Sequence, residues 1–377
     1  MINPEYDGNN TVNLISSIMS TCGKKSKYVE LVELPSVELN KYEIIVLFFI
    51  DGLGYKRLEK YGKESFLYKH ILTSIHSVYP STTSVAVTTF ASGETCSDHW
   101  ITSWDMYSDE VWEIIQTLAW RKSLTKESIK NLISMQNITN SSNFYKGSTR
   151  KVSIVTHHQI LNSVFNAHFN KHAECIWHQS LQDCIDKIIK ITQKKDNQRK
   201  YIYAYRSVFD TLCHDYGIDS PQVKNHFTTI DNECKRLFES VENKKCKIII
   251  TADHGQLNYT NHVNLKKEYP KIYAMLSMPL AWEPRNQFCF VNKEDYKRFY
   301  DAVSNELSSV CEIYSKTEVL EKQLFWYWKN DKFLGRIGDF VLIMRKWWLM
   351  SDRNEEMMIW NHGWDDDREV KVPVICS

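Results

Sequence analysis

Three aspartates and three histidines in this 377-residue chain stand at spacings that suit metal chemistry. Asp51 closes the stretch "FFID", Asp210 and His214 lie four apart in "VFDTLCH", Asp253 and His254 adjoin in "TADHG", and His362 stands in "NHG". Carboxylate oxygens and neutral imidazoles are ordinary zinc ligands. Taken singly, each fragment has a plainer use: a turn at Asp51–Gly52, a surface pair on one helical face at Asp210 and His214, a turn at "DHG". Taken together, six such groups fill two open sites of three protein ligands each. With one hydroxyl added, that is the pattern of a two-metal hydrolytic site.

A hydroxyl is at hand in "SVYPSTTSVAVTTFASG", residues 77–93. Ser81 to Ser84 precede Val87, Phe90 and Ala91, whose spacing predicts the buried stripe of a short helix. Four hydroxyls at a helix start serve as caps. Alternatively, one is a nucleophile, held where a helix N-terminus favours an anion.

The elements that must position these groups are legible as short apolar runs. Strands are predicted at 43–50, 151–156, 200–207 and 245–251, separated by helical patterns such as 180–195 and 220–244, the latter with Ser220 as N-cap and Pro221 in the first turn. This alternation predicts an α/β fold, a mostly parallel sheet between helix layers. Ligands bind beyond the carboxyl ends of such strands, which is where Asp51, Asp210 and Asp253 fall. After Asn258 the texture changes. Prolines 270, 279 and 284, a strand at 287–292, a helix at 293–308 and an aromatic-rich strand at 339–350 predict a smaller inserted cap over 259–355. Residues 1–258 and 356–377 then form the core.

Composition narrows the partners. With 43% hydrophobic and 25% charged residues and a net charge of +1, the chain reads as a soluble globular protein with no basic excess for a long nucleic acid. No apolar run is long enough for a membrane span. The start lacks signal-peptide character, and ten scattered cysteines without a CxxC pair suit reduced thiols, so a cytoplasmic location is expected. P-loop and GxGxxG patterns are absent. His168, His172 and Cys175 have a metal-like spacing without an evident fourth ligand and read as a helix face; His157–His158 read as loop polarity, and Asp365–Asp367 as a solvated run.

The motifs "DGLG" (51–54), "YPSTTS" (79–84), "DTLCHDYG" (210–217), "TADHG" (251–255) and "HG" (362–363) resemble, in order, those of the alkaline-phosphatase superfamily, and within it the type I phosphodiesterase/nucleotide pyrophosphatase family. The N-terminal "PEYDGNNTVNLISSI" and "GDFVLIM" (338–344) are similar to bacterial members. The resemblance implies one metal held by Asp51, Asp253, His254 and the nucleophile, and a second held by Asp210, His214 and His362. The family pattern Pro–[Ser/Thr]–x–Thr, laid on Pro80, implies Thr83 as nucleophile, leaving Ser81 and Thr82 to cap the helix or shape the turn. The expected cofactors are two divalent ions, zinc first, with manganese or iron also suited to the donors. The expected reaction is hydrolysis of a phosphodiester or pyrophosphate bond in a small nucleotide-type substrate through a phospho-threonine. A phosphomonoesterase, a phosphonate hydrolase or an inactive binding protein of the same fold are the alternatives. One departure bears on substrate choice: Trp100 and Trp104 stand where the family's phosphate-cradling Gly and Asn would fall. An indole has one N–H but a broad face, so Trp104, or its neighbour Trp100, is expected to stack on a nucleobase.

Overall fold

In a computed structural model, residues 2–242, 245–326, 330–353, 360–363 and 366–377 are described. A seven-stranded sheet forms the centre. Its strands are β1 (Ile44–Ile50), β2 (Ile71–His76), β3 (Lys151–His157), β4 (Glu174–His178), β5 (Lys200–Arg206), β6 (Cys246–Thr251) and β7 (Lys371–Cys376), in the spatial order β2-β7-β6-β1-β5-β3-β4. β1 pairs in parallel with β5 and β6, and β3 with β4 and β5; β7 alone runs antiparallel, against β2 and β6. The expected α/β architecture with a mostly parallel sheet is therefore present. β1, with the sequence IIVLFFI, is buried from Ile45 onward. That is the composition a central parallel strand needs when helices cover both faces.

The helices of this core include α1 (Thr11–Thr21), α2 (Thr83–Ser92), α3 (Leu181–Gln193), α4 (Val208–Tyr216) and α5 (Pro221–Glu239). α3 is amphipathic, burying Leu181, Cys184, Ile185, Ile188 and Thr192, and the Ser180 hydroxyl accepts from Asp183 N. Ser220 caps α5, with Pro221 at its start. α2 differs: every one of its residues is buried. It has no broad solvated face, and its first residue, Thr83, is 8% exposed. Among the described residues no helix is long and apolar enough to cross a membrane.

A second, four-stranded antiparallel sheet is built from Ala281–Glu283, Asn286–Cys289, Cys311–Ser315 and Phe340–Met344. Val263, Leu280, Phe299, Leu342 and Met350 belong to its separate apolar cluster. The single strand expected over 339–350 is two, Phe340–Met344 and Trp348–Ser351. Trp347 between them takes a left-handed φ of 71°, which breaks the extended run, and Trp348–Ser351 pairs with Asn261–Asn264 instead. The expected boundary at 355/356 lies outside the described residues, as does Asp365. Asp366, expected in a solvated run, is buried; it caps the helix Asp367–Val370 and pairs with Arg368.

Candidate metal centre

Asp51 follows β1, Asp253 and His254 follow β6, and Asp210 and His214 lie on α4 just past β5. The three strands are neighbours in the sheet, so their carboxyl ends deliver these groups to one place. Two glycines let the turns approach. Gly52 has φ +74°, and a Cβ there would lie 3.0 Å from Asp210 Oδ1. A Cβ on Gly255 would lie 1.9 Å from the Arg368 carbonyl oxygen.

The first group is Asp51, Asp253 and His254, all buried. Gly255 O accepts from His254 Nδ1 at 3.0 Å, which places the ring proton on Nδ1 and the lone pair on Nε2. That lone pair faces Asp253 Oδ2 at 3.2 Å, Asp51 Oδ1 at 3.5 Å and Thr83 Oγ1 at 3.4 Å. Burial pushes His254 down to about 4, so the ring is neutral and offers no second proton. Asp51 Oδ1 and Asp253 Oδ2 are accordingly buried without hydrogen-bond partners. Their other oxygens are engaged: the Tyr205 hydroxyl donates to Asp51 Oδ2 at 2.6 Å, and Gly52 N and His254 N donate to Asp253 Oδ1, each at 3.0 Å. Burial, and then the neighbouring carboxylates Asp253 and Asp210, push Asp51 well above the carboxylate range. Burial takes Asp253 to about 6. Two carboxyl oxygens, an imidazole lone pair and a hydroxyl converge, and the carboxyls resist ionisation for want of positive charge. A divalent cation answers both conditions.

The second group is Asp210, His254 and His362. His214 Nε2 lies 3.1 Å from Asp210 Oδ2, and the Gln256 amide donates to Asp210 Oδ1. Burial raises Asp210, but the imidazoles of His214, His254 and His362 more than offset it and leave the carboxyl below its usual range. His362 Nδ1 donates to the Ser81 carbonyl at 2.9 Å, which orients its ring. The rings of His254 and His362 stack at 3.4 Å, making the two groups one continuous cluster. All six sequence-selected Asp and His residues thus lie at one edge of the sheet, and His254 borders both groups.

Thr83 is the first residue of α2 and reaches the first group. Thr82 is the N-cap residue, yet its side chain caps nothing. Its hydroxyl instead donates to Glu283 Oε1 at 2.5 Å, and Trp104 N donates to the same oxygen at 2.6 Å. The capping expected of Thr82 is replaced by a tie to the second sheet. Burial raises Glu283 to about 8. Sequence reading missed Glu283, Gln256 and Tyr205; only Tyr205, in a strand leading toward Asp210, carried a local signal.

A cavity of about 360 Å³ opens from the cluster. Asp51, Thr83 and Asp210 line one part of it, with Trp104, Phe165, Tyr203 and Tyr205 among its other walls. Val87 and Ala91, one and two steps of four residues beyond Thr83, also line it, so it follows α2 for about 12 Å. No Lys or Arg is among its described lining residues. Trp100 is not in the lining; it packs against the apolar core and its carbonyl accepts from Arg336. His168 lies near the end of a short helix and donates to the Ser141 carbonyl, while Cys175 sits on β4, so the expected single helix face for His168, His172 and Cys175 does not form.

The family model for type I phosphodiesterase / nucleotide pyrophosphatase matches residues 45–365. No curated protein sequence matches the chain significantly. Among solved structures, murine ectonucleotide pyrophosphatase / phosphodiesterase 5 is similar at a TM-score of 0.66 and 16% identity, covering 88% of this chain and 87% of that one. An inactive threonine-to-alanine form of the same murine protein, in complex with AMP, matches at 0.66 and 15% identity over 88% and 87%. Phosphonoacetate hydrolase from Sinorhizobium meliloti, in complex with phosphonoacetate, is similar at 0.65 and 13% identity over 89% and 90%.

Proposed function

The chain belongs to the type I phosphodiesterase/nucleotide pyrophosphatase family, and we propose that it is a metal-dependent hydrolase that cleaves a phosphodiester or pyrophosphate bond of a small nucleotide-type substrate, with Thr83 as nucleophile. The observation that carries this reading is the convergence of Asp51, Asp253, His254 Nε2 and Thr83 Oγ1, with Asp51 Oδ1 and Asp253 Oδ2 buried and without a hydrogen-bond partner. Asp51, Asp253, His254 and Thr83 would hold one cation, and Asp210, His214 and His362 the other, with His254 bordering both. Zinc suits the mixed carboxylate and imidazole donors, as do manganese and iron. When bound, the two ions supply the positive charge that lets a threonine hydroxyl ionise near neutral pH and that balances charge on the departing oxygen.

The chain's own residues do the rest. α2 aims the Thr83 oxygen, and its N-terminal N–H groups favour the anionic phosphoryl group. Thr83 Oγ forms a bond to phosphorus as the P–O bond to the leaving group breaks, giving a phospho-threonine ester; water then splits that ester and restores the hydroxyl. The Glu283 carboxyl holds Thr82 and the Trp104 backbone, so the nucleophile and the cavity wall keep register. The absence of Lys and Arg from the cavity's described lining favours, of the two bonds, the phosphodiester with its one charge over a pyrophosphate, a doubly charged monoester or a substrate that adds a carboxylate. The AMP bound by the similar murine protein, and that protein's inactivation by loss of a threonine, support the nucleotide and threonine parts of this reading.

Elemental analysis of the purified protein is expected to find close to two divalent ions per chain, and chelation to abolish hydrolysis of bis-p-nitrophenyl phosphate. Full activity in a metal-free preparation would overturn the assignment.

A further inference from the structure

His157 and His158 read as loop polarity in the sequence, but the structure gives them company. β3 ends on His157, β4 on His178 and β5 on Arg206. Side chains alternate across a strand. Arg206 therefore leaves the sheet on the face opposite Tyr205, whose hydroxyl serves Asp51. His157 likewise points away from the face of Thr156, a residue of the catalytic cavity, and His178 is its register partner. The rings of His157 and His178 lie 5.6 Å apart, and those of His157 and His158 4.3 Å. This corner lies where β3, β4 and β5 meet α3, against which α5 packs.

Arg206 is only 8% exposed, and among the described residues it has no hydrogen bond, ion pair or ring contact from its side chain; its Nε is buried without a partner. The acidic group within its electrostatic reach is the Cys184 thiol of α3, not a carboxylate. The nearby carboxylate, Asp183, is engaged by Lys187 and by Gln179 N. The guanidinium keeps its charge; its Nη atoms are not among the buried ones, so it opens to solvent at its tip with no carboxylate paired to it. Three imidazoles sit within the field of that guanidinium. Burial first, and the Arg206 charge with it, hold His157, His178 and His226 below their usual range. His178 Nε2 donates to the Tyr205 carbonyl at 3.3 Å, leaving Nδ1 as a buried, unpartnered acceptor, and His226 Nε2 is also unpartnered. A metal ion is disfavoured by the fixed positive charge. A ligand that accepts from a guanidinium and donates to an imidazole fits.

We propose that this corner is a second anion site, separate from the catalytic cluster, that takes one hydrogenphosphate-type group on Arg206 with His157 and His178 beside it. The group is either inorganic phosphate or the terminal phosphate of a monoester. Carboxylates, which carry no proton at neutral pH, fit less well because they cannot donate to His178 Nδ1.

Crystals of the metal-loaded protein soaked in arsenate, a phosphate mimic located by anomalous scattering, are expected to show a peak within hydrogen-bond distance of Arg206 in addition to any at the catalytic cluster. Arg206→Gln is expected to lose the first peak alone. Calorimetric titration with inorganic phosphate is expected to show binding weakened on the order of 10- to 150-fold at this site in the variant, the range for a lost charge-assisted hydrogen bond. AMP displacing phosphate here identifies a monoester as the source, and AMP without effect identifies inorganic phosphate; acetate is expected not to compete. His157→Ala, at the partly exposed end of β3, gives the same test if Arg206→Gln does not fold. No peak at Arg206, or one that persists in both folded variants and so reflects an adventitious ion only, overturns the proposal.

Discussion

The molecule buries charge in two adjoining places and treats it oppositely in each. Arg285 and Glu369 are fully buried and paired through two contacts, Nε to Oε1 at 2.7 Å and Nη2 to Oε2 at 3.0 Å. Arg285 Nη1 also donates to the carbonyls of Arg345 and Trp348, at 3.0 and 3.1 Å. At the metal centre, by contrast, three aspartates crowd together, and two of their oxygens are buried with no hydrogen-bond partner. One cluster is complete within the chain; the other is complete only with something added. The first is therefore self-sufficient and the second is not, although the Glu369 carbonyl, which accepts from Gly255 N at 2.7 Å, joins the two.

Removing a group from each cluster separates these roles. Thr83→Ala is expected to lower turnover by roughly four to six orders of magnitude, as for other essential nucleophiles, with metal content and unfolding midpoint near those of the parent. Thr82→Val, which cuts the Glu283 contact, is expected to cost about 1 kcal/mol of stability and far less turnover. Equal kinetic losses from both would place the nucleophile elsewhere. In the paired cluster, Arg285→Met leaves Glu369 buried without its partner and is expected to cost about 3–5 kcal/mol in urea unfolding. The double variant Arg285→Met/Glu369→Leu should recover much of that loss. A small effect of the single variant would deny the contrast.

The crowded cluster responds in the other direction. Asp253 in the metal-free fold titrates at about 6, above an unfolded aspartate at about 4. The fold thus binds an extra proton between these values, and this group's contribution to stability, full below about pH 4, is lost as the pH rises through about 6. Asp253→Asn is expected to remove that loss, raising metal-free stability at pH 8 by on the order of 1–3 kcal/mol while abolishing tight metal binding. Unfolding midpoints at pH 4 and 8, in chelator, measure it. The finest test concerns the cavity wall. Trp104→Ala is expected to raise KM for a nucleotide diester roughly 5- to 150-fold with little change for bis-p-nitrophenyl phosphate, as loss of ring stacking would. Equal losses on both substrates would make Trp104 a packing residue.

Five of the six metal-type residues were legible because each follows a strand or shares a helical turn: Asp51 after "LFFI", Asp253 and His254 after "IIIT", Asp210 four before His214. Sheet order then needed only parallel strands to bring them together. Glu283, Arg285 and Arg206 were not legible. Their roles depend on partners that short-range pattern does not reveal: Thr82 and Trp104 for the first, Glu369 for the second, and the histidines of other strands and helices for the third. Thr82 misled for the same reason, since its local use as a cap lost to a distant carboxyl. Trp347 misled by composition: a strand-forming residue type adopts the left-handed backbone that ends the strand.

β7 lies between β2 and β6, and the same late stretch of chain carries His362 and the Glu369 carbonyl that fastens the "DHG" turn. During synthesis, then, a ribosome-bound chain that has emerged only as far as residue 360 has every earlier ligand but neither the strand that closes its sheet nor the histidine that orients against Ser81. The group of Asp210, His254 and His362 is therefore assembled only after residue 362 has left the ribosome, behind Asp51 and Asp253.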